Sequence, residues 1–350
     1  MSLRLDDVAP HPLHKGHHSP GASSRIFVDS CVQIWPDTDY RALAAYSPTA
    51  YCVTSFHPND GAENALDALA NWHRVAREYD EVRIAYTVED IRQAKALGQA
   101  AIVLAAQGGD FLASNLQRLE MFWRMGLRMM LPAYNPRTAL CAGLFEAPDG
   151  GMARMGPLWV GECNRLGVLI DLTHTSERAT LEIMDLSADP VVFSHSNPRG
   201  LVDNIRNITD EQIRRCAASG GLVAPTNWGP LNYRPGSRRR PTLSDFLDAV
   251  DYLVDMIGID HVGIGTDMST GTYPDGDLIR GLPGKASVGG EYAQYVEVSP
   301  RSRLRYVEGF DDYGQLPAVE EALAARGYGD QDIDKVLGEN YLRVFERVWR

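Results

Sequence analysis

Between Gly167 and Arg206 the chain reads GVLIDLTHTSERATLEIMDLSADPVVFSHSNPRGLVDNIR, and this stretch constrains the fold more than any other. Val168–Leu172 is a short apolar run ending in Thr173-His174, and Val191–Phe193 is a second ending in Ser194-His195. Between them, Ser176–Leu186 places Ala179, Ile183 and Leu186 at helical spacing. Strand, helix and strand in that order make a βαβ unit, whose strands run parallel. Each histidine then lies at the carboxyl end of its strand, the edge where α/β proteins carry their chemistry. Two imidazoles in matching positions on neighbouring strands can converge on one metal ion or one substrate.

The same alternation runs along the chain. Strands are expected from Arg25–Val28 onward, at Tyr51–Ser55, at Val82–Tyr86 (a short extra one), at Ala101–Ala106 and at Leu127–Leu131. Others follow the βαβ unit at Leu222–Ala224 and His261–Gly265. Helices are expected at Leu66–Tyr79, Glu89–Leu97, Leu116–Arg124, Leu158–Arg165, Asp210–Ser219 (capped by Thr209) and Leu243–Ile257. The closing helices are Pro317–Arg326, Asp330–Leu337 and Tyr341–Val348. About eight such units with no break in composition suit a (β/α)8 TIM barrel of the metal-dependent hydrolase type. A doubly wound open sheet would carry a Gly-rich phosphate loop after its first strand, and Gly108-Gly109 is too short to be one. The expected organisation is a flexible arm over residues 1–24 and one barrel domain over 25–350. An irregular insertion at 269–312 would sit over the last loops as a lid or an oligomer contact.

Composition narrows the partners. The 350 residues carry a net charge of −12, which argues against nucleic acid, and no apolar run approaches a membrane span. The N-terminus lacks the apolar segment of a secretory signal or the marks of a lipid anchor. Five widely spaced cysteines read as free thiols in a reducing cytoplasm. The histidines at 11, 14, 17 and 18 read as part of an exposed arm.

Polar residues at the expected carboxyl ends of strands are Cys31, Gln33, His57, Gln107, Tyr134, His174, His195, Asn227 and Asp267. Singly, each is an ordinary turn residue. Together, His174, His195 and Asp267 belong to strands that a barrel gathers around one axis. Neutral imidazole is a good zinc ligand, and a carboxylate beside it can take a proton from an activated water.

Six segments then stand out: IDLTHTS, PVVFSHSNPRGL, IRNITDEQI, GGLV, DHVGIGTDM and LGENYLRVFERVW. In this order and spacing they resemble the membrane (renal) dipeptidase family of zinc metallopeptidases, within the amidohydrolase-type barrels, over roughly residues 25–350. The resemblance implies that His174 and His195 are metal ligands and that Asp267 handles protons during attack on an amide. It also implies that Arg206 pairs with a substrate carboxylate, and that the active protein is a homodimer. Yet the family's opening Asp-Gly-His-x-Asp is here Asp29-Ser30-Cys31-Val32-Gln33. The bridging glutamate is replaced by Gln107, and a substrate-contacting histidine by Tyr134. Neutral glutamine cannot hold two cations together, so a two-zinc centre is not expected. Three readings follow, in this order. The first is a hydrolase of dipeptides or similar small amides with one zinc on His174 and His195, its shell completed by Cys31, Asp267 or water. The second is a metal-free enzyme in which the His pair, Tyr134 and Arg206 bind a small carboxylate. The third is a non-catalytic binding protein on the same barrel.

Overall fold

The computed structural model describes residues 23–46, 48–237, 239–271 and 305–350. Nine strands build the sheet: β1 Val28–Ile34, β2 Ala50–Thr54, β3 Val82–Ile84, β4 Ala100–Ala106, β5 Leu127–Met130, β6 Leu169–Asp171, β7 Val191–Phe193, β8 Leu222–Val223 and β9 Met268–Thr270. All pair in parallel, in the order β8-β7-β6-β5-β4-β2-β1-β9. The extra strand β3 pairs with the first half of β4. The ring closes through 262–265. Val262 bridges Val223, the Gly263 amide donates to the Val223 carbonyl, and the Ser30 amide donates to the Ile264 carbonyl. This is the expected (β/α)8 barrel. Helices cover its outside, among them Gly156–Leu166, Glu177–Leu186, Asp210–Ala218 and Leu243–Ile257.

The strand period of two sorts side chains into two apolar layers. Ala50, Cys52, Ala101, Val103, Met129, Leu169, Val192 and Leu222 share the inner one. Tyr51, Val53, Ile102, Leu104, Ile170, Val191, Phe193 and Val223 pack outward against the helices. The helix Asn340–Val348 joins the inner layer through Tyr341, Leu342 and Phe345. With the floor and wall filled by hydrocarbon, polar side chains are gathered at the opposite, carboxyl-terminal mouth.

Three local readings change. The expected strand His261–Gly265 is a single bridge at Val262, and the regular strand lies beyond Asp267. The cause is Asp29, whose carboxylate takes the Thr266 amide out of the ladder, while Asp267 adopts φ +55°. Secondly, the last two of the three expected closing helices are Asp330–Asp334 and Asn340–Val348, joined by a π-helical turn at Lys335–Glu339. There Gly338 approaches the chain so closely that a Cβ would lie 2.5 Å from the Ile26 carbonyl oxygen. Finally, the ends of the expected insertion are tied into the barrel. Met268–Thr270 pairs with β1, and Tyr306 and Glu308 bridge Trp228 and Thr242. The rest of that insertion, 272–304, and residues 1–22 of the expected arm lie outside the described residues.

The closure has no room to spare. A Cβ on Gly265 would stand 1.8 Å from the Ser194 carbonyl oxygen and 2.5 Å from Ser30 Oγ. Gly265→Ala is therefore expected to lower unfolding free energy by about 2 kcal/mol or more. Gly161→Ala, on an exposed helical face with nothing within 4 Å of the new methyl, should raise it by about 0.5–1 kcal/mol. Urea unfolding of the two variants checks the contrast, and equal effects would contradict the tight seam.

Candidate functional site

Every metal or substrate position expected from the sequence lies at one mouth of the barrel. Cys31 and Gln33 come from β1, Gln107 follows β4, Tyr134 follows β5, His174 follows β6, and His195 follows β7. Asp267 precedes β9, and Arg206 comes from the loop after β7. His57 and Asn227 do not join them. His57 is exposed in a turn beside Asp60, and the Asn227 side chain donates to the Phe310 carbonyl.

Cys31 owes its position to a bulge. β1 pairs with β2 as Asp29↔Tyr51 and then as Val32↔Val53, so one extra residue is accommodated at Ser30-Cys31. On the other side of the seam the Asp267 amide donates to the Cys31 carbonyl at 2.9 Å. The Asp29 carboxylate is fully buried and accepts from the Thr266 amide, Thr266 Oγ1, Tyr313 Oη and the Cys31 amide. Cys31 Sγ consequently lies 3.5 Å from Asp267 Oδ1. The two glutamines complete this corner: Gln33 Nε2 donates to Asp267 Oδ1 at 2.9 Å, and Gln107 Nε2 points at Cys31 Sγ at 2.9 Å.

The histidines are held from behind. His174 Nδ1 meets Asn135 Oδ1 at 2.7 Å, and His195 Nδ1 meets Ser194 Oγ at 2.7 Å. An amide oxygen only accepts, so His174 carries its proton on Nδ1 and presents the lone pair of Nε2 to the mouth. The two Nε2 atoms are 3.2 Å apart. Tyr134 lies against the His174 ring at 4.1 Å between centroids. Arg206 is buried, and its Nη2 donates to His174 Nε2 at 3.1 Å and to the His195 carbonyl at 2.9 Å, while Nη1 donates to Ser196 Oγ at 3.1 Å. Asn135, His174 and Asp267 all have left-handed backbone, with φ of 68°, 64° and 55°. Non-glycine residues in that region are uncommon, and their concentration here is strain held at one place.

Burial sets the charges. It pushes both histidines well below the usual imidazole range, with the Arg206 guanidinium acting in the same direction, so both rings are neutral at pH 7. Burial raises Asp267, partly offset by Arg305, Gln33 and Arg206. The Cys31 thiol is pushed well up by burial and then by Asp267. A thiol so held, touching an amide and a carboxylate rather than an imidazole base, is a poor nucleophile.

One group of donors among the described residues is compact enough to hold a metal ion. Ligand atoms of Cys31, His195 and Asp267 lie within 4.8 Å of one another. The 3.2 Å between the two Nε2 atoms is close to the roughly 3.3 Å spanned by two tetrahedral zinc ligands at about 2.05 Å. The remaining positions, Gln33 and Gln107, turn amide donors toward the cluster and bring no charge.

Residues 33–278 and 299–350 match the model of the membrane dipeptidase family, peptidase family M19. The match begins just after Cys31. Dipeptidase tcpJ of Claviceps purpurea is 27% identical over 271 residues, covering 77% of this chain and 56% of its own length. Dipeptidase 3 of Rattus norvegicus is 26% identical over 307 residues, covering 86% of this chain and 55% of its own length. The chain thus spans about half the length of these curated relatives. An amidohydrolase from Pseudomonas aeruginosa superposes with a TM-score of 0.78 at 25% identity, over 95% of this chain and 98% of that one. A metallo peptidase from Rhodobacter sphaeroides, solved with a phosphinate mimic of the dipeptide L-Ala-D-Ala, gives 0.68 at 25% identity, over 84% and 78%.

Reading the sequence missed the residues that hold the site in shape: Asp29, Asn135, Ser194 and Ser196. Asn135 and Ser194 each adjoin a residue already singled out, and that adjacency was the available signal. The seam is directly testable. Thr266→Val keeps the volume and removes a hydroxyl that donates to buried Asp29 and accepts from the Met268 amide. The expected cost is about 1–3 kcal/mol in urea unfolding, and a neutral substitution would show that Asp29 does not depend on it.

Proposed function

The chain belongs to the membrane dipeptidase family, and on that premise we propose that it hydrolyses small amides ending in a free carboxylate, dipeptides among them, with one zinc ion. The observation that carries this reading is the convergence of Cys31, His195 and Asp267 within 4.8 Å, with His174 Nε2 3.2 Å from His195 Nε2. His174, His195 and Cys31 would hold the ion, which supplies Lewis-acid chemistry at neutral pH when bound. Asp267 is the proton carrier: its carboxylate is steadied by Gln33, and burial raises its affinity for a proton toward the range useful in acid–base work. Arg206 offers the guanidinium fork suited to a terminal carboxylate, and the Tyr134 ring, packed on His174, shapes the adjoining wall. The phosphinate dipeptide mimic bound by the Rhodobacter neighbour supports a peptide-sized substrate.

A metal-free reading draws on one observation, the Arg206–His174 hydrogen bond. In it the same groups bind a small carboxylate, with catalysis by proton transfer or with none. A homodimer and a reducing cytoplasmic setting belong to the proposal as well. The setting is supported by five unpaired, buried cysteines. Among the described residues no helix is long and apolar enough to cross a membrane.

Metal analysis of the purified full chain should find about one zinc per chain, falling at least tenfold in His195→Ala. The double variant Gln33→Asp, Gln107→Glu restores carboxylates beside the ion and should raise the stoichiometry toward two. Two ions per wild-type chain would overturn the one-metal reading. With zinc supplied, a panel of dipeptides and N-acyl amino acids should reveal turnover that His195→Ala lacks; no turnover of any member would remove the hydrolase assignment.

A further inference from the structure

His174 Nε2 carries a single in-plane lone pair, and Arg206 Nη2 already occupies it at 3.1 Å. The opposite ring nitrogen holds the proton given to Asn135. A metal ion on His174 and the Arg206–His174 hydrogen bond are therefore mutually exclusive. Charge points the same way, because a guanidinium beside the lone pair repels an arriving dication in a buried, weakly screened site. Arg206 keeps two other acceptors on leaving His174, Ser196 Oγ and the His195 carbonyl. It would nevertheless be left with a buried N–H and no acceptor for it, which is costly. A carboxylate supplies what is missing: an anion with two oxygens in the geometry of the guanidinium fork.

From this we propose that Arg206 is an internal competitor for the metal ion, displaced from His174 by an anionic ligand, so that metal and carboxylate bind with positive coupling. The proposal rests on the one-metal reading above and adds an order to it: the His174 ligand becomes available in step with the carboxylate. Linkage makes the effect reciprocal, since an ion that favours the Arg206-released state tightens carboxylate binding by the same factor. An ion held by Cys31, His195 and Asp267 alone would be the weaker, carboxylate-free form.

The test measures zinc affinity, not turnover. Full-length apoprotein is titrated with zinc against a chromophoric chelator, in buffer, in saturating propionate, and in propionamide at the same concentration. Propionate should tighten zinc binding about tenfold, while propionamide, which lacks the charge, should leave it unchanged. Arg206→Met should bind zinc about tenfold more tightly than wild type without any additive and should not respond to propionate. Arg206→Lys keeps a cation in place and should retain a response. If Arg206→Met fails to fold, the propionate–propionamide contrast in wild type decides alone. One zinc per chain bound with equal affinity in all three solutions would overturn the coupling and leave the one-metal reading standing. Absence of zinc binding by wild type and Arg206→Met alike would overturn both.

Discussion

The mouth of this barrel depends on one buried carboxylate, that of Asp29. It sits where the first strand meets the last and accepts hydrogen bonds from the Thr266 amide and hydroxyl, from Tyr313 Oη and from the Cys31 amide. A carboxylate without solvent must be satisfied by fixed donors, and even so burial pushes its pKa up to about 6. The donors it recruits are the backbone on both sides of the seam. Taking the Thr266 amide out of the ladder breaks the last strand just before Asp267, and the bulge at Ser30-Cys31 turns the first strand to meet it. The Cys31–Asp267 corner is thus a product of barrel closure. So is the left-handed backbone at Asp267, a strain that the four hydrogen bonds of Asp29 hold in place.

Against that frame the site is assembled from neutral parts. Two imidazoles are kept uncharged by burial and by Arg206, the thiol is kept protonated, and two glutamines stand where charged ligands would be needed for a second ion. Glutamine and glutamate are nearly the same shape, so the barrel loses no packing by the exchange that the resemblance implies at Gln107. What it loses is the ability to balance two dications a few ångströms apart. The amide groups hold Asp267 and Cys31 in place, so both glutamines have structural partners within the site.

The barrel and its working edge were legible in the sequence because they depend on periodicity. The run 168–172 leading into His174, the run 191–193 leading into His195, and the wholly apolar 101–106 each announce a strand and the end at which polar residues collect. The substitutions that the resemblance implies, at Cys31, Gln33 and Gln107, were equally visible. Hidden from the sequence were relations between distant residues: Asp29 with Thr266 and Tyr313, Asn135 with His174, and the bulge that aims Cys31. None of these has a period. Each arises only when the chain folds back on itself: Asn135 and His174 are 39 residues apart, and closure brings Asp29 and Thr266, 237 apart, within 3 Å. Arg206 was legible as a residue and illegible as an arrangement, since nothing in its motif says that the guanidinium lies on a histidine.

That arrangement makes sense as a balance of charge among the groups in direct contact. Without an ion, the Asp267 carboxylate faces the Arg305 and Arg206 guanidinium groups, and the buried carboxylates of Asp29 and Asp171 lie near the thiol. A divalent ion adds two positive charges, and coordination by sulfur removes the thiol proton and returns one. Binding an ion would therefore add one net positive charge in surroundings that screen it poorly. A ligand with a single carboxylate offsets that added charge, and an uncharged amide of the same shape does not. On the one-metal reading proposed above, a barrel mouth with amides at Gln33 and Gln107 would favour substrates that bring a carboxylate of their own, and that free carboxylate would be part of what completes the centre.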